Sequence, residues 1–220
     1  VTAIAIFVKT PGLSPIKTRL AERVGREAAE ACHRKSAACV LATVQQTNLP
    51  GYWAVAETDG LSDPLWTGLP QIDQGPGSLG ARMHRVHETL VQRHGSALLV
   101  GADLPQLQAN DLSSAADWLT ASVPRSVIGP AHDGGFWLFG SNHWYRPSDW
   151  TSVAYSQADT AQHFMAAMNL GEWKTLPTRC DLDQVGDLPR VIDELNRLSQ
   201  PHQSQHNFVN WLSELRHATI

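Results

Sequence analysis

Three stretches of this chain combine charged side chains with backbone that lets a ligand approach closely. In "AIFVKTPGLSPIKTRLAERVG" an apolar run from Ile4 to Val8 stops at Lys9, a loop with Pro11, Gly12 and Pro15 follows, and Lys17, Thr18 and Arg19 arrive together ahead of a helical pattern. Cations and loop N–H groups at a helix N-terminus suit a phosphate or diphosphate. A solvated basic loop fits the same residues. In "LLVGADLP" a carboxylate, Asp103, ends a buried apolar run and Pro105 stops the chain from continuing into a helix. A hard cation such as Mg²⁺ or Mn²⁺ takes one or two carboxylates plus substrate phosphates, although Asp is also a common turn former. In "GPAHDGGFW" the pair Gly134 and Gly135 permits close approach beside Asp133, as a ligand crevice or as an ordinary Asp-Gly hairpin.

Further acids stand near the C-terminus in "CDLDQVGDL". Asp181 and Asp183 share a face if that segment is extended, and Asp187 is expected to cap a helix with Pro189 in its first turn. Several common chemistries are excluded. "GLSPIKT" has Ile16 where a P-loop needs Gly before the Lys, no Gly-x-Gly-x-x-Gly follows the first strand, and no Gly-x-Ser-x-Gly elbow surrounds a serine. His84 and His87 have helical spacing but lack a third soft ligand, and read as surface residues.

The elements that position these residues alternate. Strands are expected at Thr2 to Val8, Tyr52 to Ala56, near Gln71, over "SALLVG", on both sides of the Asp133 turn, and at Trp173 to Leu176. Helices are expected at Gly25 to Thr47, Leu79 to Arg93, Asn110 or Asp111 to Ala121, Gln157 to Met168, and twice at the C-terminus. "SQPHQSQHN" reads as an exposed linker between those last two. Strand–helix alternation implies an α/β fold in three αβα layers, and the Asp133 turn makes the mostly parallel sheet a mixed one. In such sheets ligands bind outside the carboxyl ends of the strands, where all three stretches fall.

Composition sets the remaining bounds. A chain of 220 residues, 42% hydrophobic, can bury the core of one domain, and a net charge of −4 argues against a nucleic-acid partner. No apolar segment reaches the ~18 residues of a membrane span. The three cysteines form no disulfide framework, and Cys32 and Cys39 lie too far apart on a helix to bridge, so a reduced, cytoplasmic protein is expected. The eight tryptophans fit either a stacking surface or a bulky core.

Taken in order, "IFVKTPGLSPIKTRLA", "QGPGSLGARM", "VGADLPQL", "IGPAHDGGFWLFG" and "CDLDQVGDL" resemble a family of bacterial glycosyltransferase-A-like proteins, some linked to arsenosugar biosynthesis. The resemblance runs from about Ile4 to Leu188. It implies a Rossmann-like nucleotide-diphospho-sugar transferase domain over 1–198, with 199–220 a helical extension of it. It also implies a divalent cation, Mg²⁺ or Mn²⁺, at Asp103 and Asp183. Lys9, Gly12, Lys17, Arg19, Gly77, Gly80 and Arg82 would meet the nucleotide, and Gly134, Gly135 and Trp150 the sugar or acceptor. Asp133 would be the general base. The implied activity is sugar transfer from a nucleotide-diphosphate donor to a small acceptor.

"IKTRLA" is also similar to the Lys-Ser-Arg-Leu signature of 2-phospholactate guanylyltransferases, which implies nucleotidyl transfer from a triphosphate as the alternative. The chain departs from the family at Ser78, where Asp is usual, at Leu104, where Cys is usual, and at Trp150-Thr151-Ser152 in place of Trp-Ser-Thr. A catalytically inactive nucleotide-binding relative is the third reading.

Overall fold

A computed structural model describes residues 1–218. Seven strands form one sheet: β1 (Thr2–Val8), β2 (Gly51–Val55), β3 (Gln71–Asp73), β4 (Ser96–Gly101), β5 (Arg125–Pro130), β6 (Phe136–Ser141) and β7 (Glu172–Thr175). Their order is β3-β2-β1-β4-β6-β5-β7. All pairings are parallel except those of β6, which runs antiparallel to both β4 and β5. The expected mixed sheet is therefore present, with its one reversal made by the Asp133 turn.

The sheet is covered on both faces because its strands alternate two kinds of apolar residue. From β1, Ile4, Ile6 and Val8 pack with Val40 and Val44 of helix α2 (Arg26–Gln46) and with Leu112 and Ala115 of α4 (Ala109–Trp118). The small Ala3 and Ala5 face the other way. There they meet Met83, Val86 and Leu90 of α3 (Leu79–His94), together with Trp150 of α5 (Pro147–Thr151) and Phe164 of α6 (Thr160–Ala167). A third cluster joins α1 (Thr18–Val24) and α2 to α7 (Leu188–Asn196) and α8 (Gln203–Ala218) through Leu20, Cys32, Val191, Phe208 and Leu212. Most tryptophans serve the core, and all three cysteines are free and buried.

Several local expectations change. Gln203 to Asn207 form the first turns of α8 rather than an exposed linker, because Gln205 is buried and hydrogen-bonded. The Asp187 carboxylate accepts from the N–H groups of Asp183 and Gln184, both at 2.9 Å, so it closes the preceding turn and makes no cap bond to α7. Asp111 lies inside α4, in a capping box with Gln108. His87 is a core residue, its Nε2 2.9 Å from Ser141 Oγ. Burial, with His143 and His84 adding to it, lowers its pKa to about 3.

Candidate active site

β2 and β4 flank β1, and the chain proceeds from β1 toward β3 in one direction and from β4 toward β7 in the other. A crevice opens at such a switch point, beyond the carboxyl ends of the strands. Here it is a cleft of about 520 Å³ whose walls include Lys9, Lys17, Arg19, Asp103 and Asp183.

Each of these residues is fixed by its own element. Asp103 follows β4, where the Ala102 carbonyl accepts from Ser36 Oγ at 2.6 Å and the Asp103 carbonyl accepts from Leu182 N–H at 3.0 Å. Lys17 ends the loop after β1 in a left-handed conformation, φ 42° and ψ 53°, which costs a non-glycine residue about 1 kcal/mol. That turn sends its side chain inward. Lys17 Nζ lies 2.6 Å from Asp103 Oδ1 and donates to the Leu182 carbonyl. The Lys17 side chain is 2% exposed and that of Asp103 36%. Lys9 and Arg19 are exposed and make no ion pair among the described residues.

His33, on α2, joins two parts of the site. Its Nε2 is 3.0 Å from the Lys9 carbonyl and its Nδ1 3.6 Å from Asp103 Oδ1. A histidine in the middle of a long Ala-rich helix gave no sequence signal, because its partners lie on two distant loops.

The electrostatics divide the acids into two kinds. Burial alone would raise the Asp103 carboxyl, but Lys17 and then His33 overcome it and hold Asp103 well below the usual carboxylate range. Burial would likewise depress the Lys17 ammonium, yet Asp103, Cys32 and Asp183 leave its pKa raised. Asp181 and Asp183 have no such partner of their own. Burial, then the charge of Asp103, push both carboxyls upward, with Asp183 and Asp133 adding to this at Asp181 and Asp133 and Asp187 at Asp183, and Lys17 offsets it only in part. Asp181 Oδ1 is buried without a hydrogen-bond partner. Asp181 thus joins the candidate set beside Asp183.

This donor set fits a hard divalent cation in its chemistry: the ligands are oxygens, and their negative charge is only partly neutralised. Among the described residues no three His, Cys, Asp or Glu side chains converge to hold a metal unaided. One or two carboxylates completed by phosphate oxygens is the arrangement that Mg²⁺ commonly accepts.

The other expected residues lie elsewhere. Asp133 Oδ1 accepts from Gly135 N–H at 2.9 Å within the β5–β6 turn, and its charge reaches the cleft only as repulsion of Asp181 and Asp183. Gly134, at φ 91°, is required by packing, since a Cβ there would stand 2.0 Å from the Ala158 carbonyl oxygen. Arg82 donates to the Gly77 and Ala56 carbonyls and so fastens the loop before α3. Gly80 packs against the Trp150 carbonyl, where a Cβ would come within 2.3 Å. Neither these residues nor Gly12 are part of the cleft wall.

Trp150 is a correction. It is fully buried, with ring centroids 5.3 Å from His87, 5.2 Å from Phe139 and 5.5 Å from Phe164, and touches no open surface where an acceptor would bind. Ser78 is the N-cap of α3, its Oγ accepting from Ala81 N–H at 3.4 Å. Asp fills an N-cap as well as Ser, so the exchange preserves the helix start.

Comparison with known structures agrees with this architecture. A Desulfovibrio desulfuricans G20 protein provisionally assigned as a nucleotide-diphospho-sugar transferase superposes with a TM-score of 0.84 at 24% identity, over 99% of this chain and 97% of that one. A cytidylyltransferase from Leptospira borgpetersenii serovar Hardjo-bovis gives 0.54 at 10% identity, over 99% and 96%. A CMP:2-keto-3-deoxy-manno-octonic acid synthetase complexed with CTP gives 0.51 at 12% identity, over 86% and 96%. These likenesses establish the nucleotide-diphospho-sugar transferase fold. No curated protein matches the sequence, and no helix among the described residues is long and apolar enough to cross a membrane. Residues 40–157, more than half of the chain, match the model of the family described as "Uncharacterized protein conserved in bacteria" (DUF2064), and the chain belongs to that family.

Proposed function

We propose that this protein is a divalent-cation-dependent transferase that moves a sugar from a nucleotide-diphosphate donor to a small acceptor. One observation carries the reading: two unpaired cations, Lys9 and Arg19, share a cleft with the carboxylates Asp103 and Asp183 at the sheet's switch point. A nucleoside diphosphate suits both groups, since its phosphates would meet the cations and the carboxylates would hold its accompanying metal ion. Asp103 and Asp183 would hold that ion, and Asp181 would add negative charge beside it. The ion's chemistry is to stabilise negative charge on the departing diphosphate. Lys9 and Arg19 stabilise the same charge from the loop side. Asp133, on the β5–β6 turn outside the cleft wall, is the general base for the acceptor hydroxyl in this reading. The fold neighbour assigned to nucleotide-diphospho-sugar transfer covers nearly the whole chain, in line with this choice.

Nucleotidyl transfer is the second reading. It is favoured by the two cytidylyl-transferring neighbours, one of them with CTP bound. There the same cations would hold a triphosphate and pyrophosphate would leave.

The test is a thermal-shift panel of UDP, GDP and CDP, with their triphosphates and sugars, each with and without Mn²⁺, followed by product analysis of any ligand that binds. Ligand at 100 times Kd adds about 2.7 kcal/mol of stability. Release of a nucleoside diphosphate supports the first reading, and release of pyrophosphate the second. Asp103→Asn is expected to remove the Mn²⁺-dependent part of the shift. A variant that keeps the full Mn²⁺ effect would sink the metal assignment.

A further inference from the structure

Lys17 stands in the first loop between Lys9 and Arg19, yet its side chain is already committed. Its ammonium is buried, ion-paired with Asp103 Oδ1 at 2.6 Å, and hydrogen-bonded to the carbonyl of Leu182, the residue between Asp181 and Asp183. A positive charge with a carboxylate on one side, a carbonyl oxygen on another and a second carboxylate close by has the surroundings of a bound cation. The two carboxylates, of Asp103 and Asp183, are the groups that would hold a divalent ion.

We propose that Lys17 is an internal counter-ion that occupies the cation position between Asp103 and Asp183 and withdraws when a divalent cation is held there. This rests on the metal and nucleotide site proposed above. The withdrawn ammonium needs another anion, and the first loop supplies the place for one, since Lys9 and Arg19 leave a phosphate within its reach. Metal and diphosphate therefore enter as a pair, and the protein alone holds the metal weakly. His33 keeps the carboxylate in place during the exchange, because it contacts the same Asp103 Oδ1 while anchored to the Lys9 carbonyl.

The experiment is Mn²⁺ binding without nucleotide, read by electron paramagnetic resonance of the free ion, on full-length wild type, Lys17→Met, Lys17→Arg and Asp103→Asn. Circular dichroism confirms that each is folded. Removing the internal cation in Lys17→Met is expected to tighten Mn²⁺ binding about tenfold or more, the effect of deleting a like charge a few ångströms away. Lys17→Arg, which keeps the charge, is expected to bind as weakly as wild type. Should Lys17→Met not fold, Lys17→Gln repeats the measurement with a neutral donor left toward the Leu182 carbonyl. Equal or weaker binding in the neutral variant overturns the counter-ion role. If wild type and Lys17→Met bind Mn²⁺ equally and Asp103→Asn abolishes it, only that role falls. If Asp103→Asn binds as wild type does, or no variant retains Mn²⁺, the metal site itself falls with it.

Discussion

The side-chain amide of Gln205, on the last helix, donates to the carbonyls of Pro105 at 2.9 Å and Leu107 at 3.0 Å. It reaches back about a hundred residues to the loop that presents Asp103. Gln106 in that loop is tied in turn to the Cys180 carbonyl and to Glu194 of α7. The two C-terminal helices therefore brace the carboxylate end of β4.

Gln205→Leu would leave the buried Pro105 carbonyl without a donor and the Leu107 carbonyl with Thr43 Oγ1 alone, at 3.2 Å. An unsatisfied buried acceptor costs about 1–3 kcal/mol, and at this chain length each kcal/mol lowers Tm by about 2–4 °C. A melting temperature unchanged from wild type in a calorimetric scan would refute the brace.

The phosphate assignment separates binding from folding. Lys9→Met and Arg19→Met each remove an exposed, unpaired cation, so Tm should stay within about 1 °C of wild type. Affinity for a nucleoside diphosphate should fall about tenfold or more, since hydrogen bonds to charged groups are worth about 1.5–3 kcal/mol. Isothermal titration of both variants tests it; unaltered affinity in both would remove the first loop from the site.

Trp150 makes the opposite prediction. Trp150→Ala empties a core position and should cost about 3–5 kcal/mol in denaturant unfolding. Trp150→Phe should cost less, since the indole N–H it removes has no hydrogen-bond partner. Its ligand affinity should match that of wild type. A folded Trp150→Phe with several-fold weaker ligand binding would return Trp150 to the site.

Burial sets a pH dependence at His87. Its pKa falls from 6.5 to about 3 on folding, so between those limits the unfolded chain binds the extra proton. Stability from this group is complete above pH 6.5 and declines on acidification toward pH 3, by at most about 1.4 kcal/mol per pH unit. His94, His143 and His202 are also shifted downward by burial and add to the same slope. His87→Phe keeps an aromatic ring against Trp150 and should flatten the stability profile between pH 4 and 6.5 in urea titrations. An identical slope in the variant would show that His87 is not its source.

The framework was legible wherever one short window carried the signal. β1 and β4 are continuous apolar runs, and the position of Asp103 at the end of β4 followed from that alone. The Asp-Gly-Gly turn marked the antiparallel strand. What escaped depends on partners far away in the chain. Lys17 had the look of a phosphate ligand because its sequence neighbours are loop and cation, while its counter-charge lies 86 positions on. His33 and Gln205 sit in polar or Ala-rich surroundings that hide how deeply each is held. Trp150 and His87 were misplaced for a related reason: residue type and spacing do not report depth, and the interior face of α3 buries an imidazole whose Nε2 finds a partner in Ser141 Oγ.

The hydrogen bond from Lys17 to the Leu182 carbonyl joins positions 165 residues apart. During synthesis the first loop leaves the ribosome long before its partner exists, and the α7–α8 brace comes later still. Lys17 and Asp103 can meet early, but the oxygens that complete their environment arrive with the last fifth of the chain. Contacts this distant in sequence form late. The protein thus acquires its ligand-holding geometry as a closing act of folding, and a nascent chain, or one clipped before Asp181, would carry the first loop and Asp103 without the two later carboxylates that complete the site.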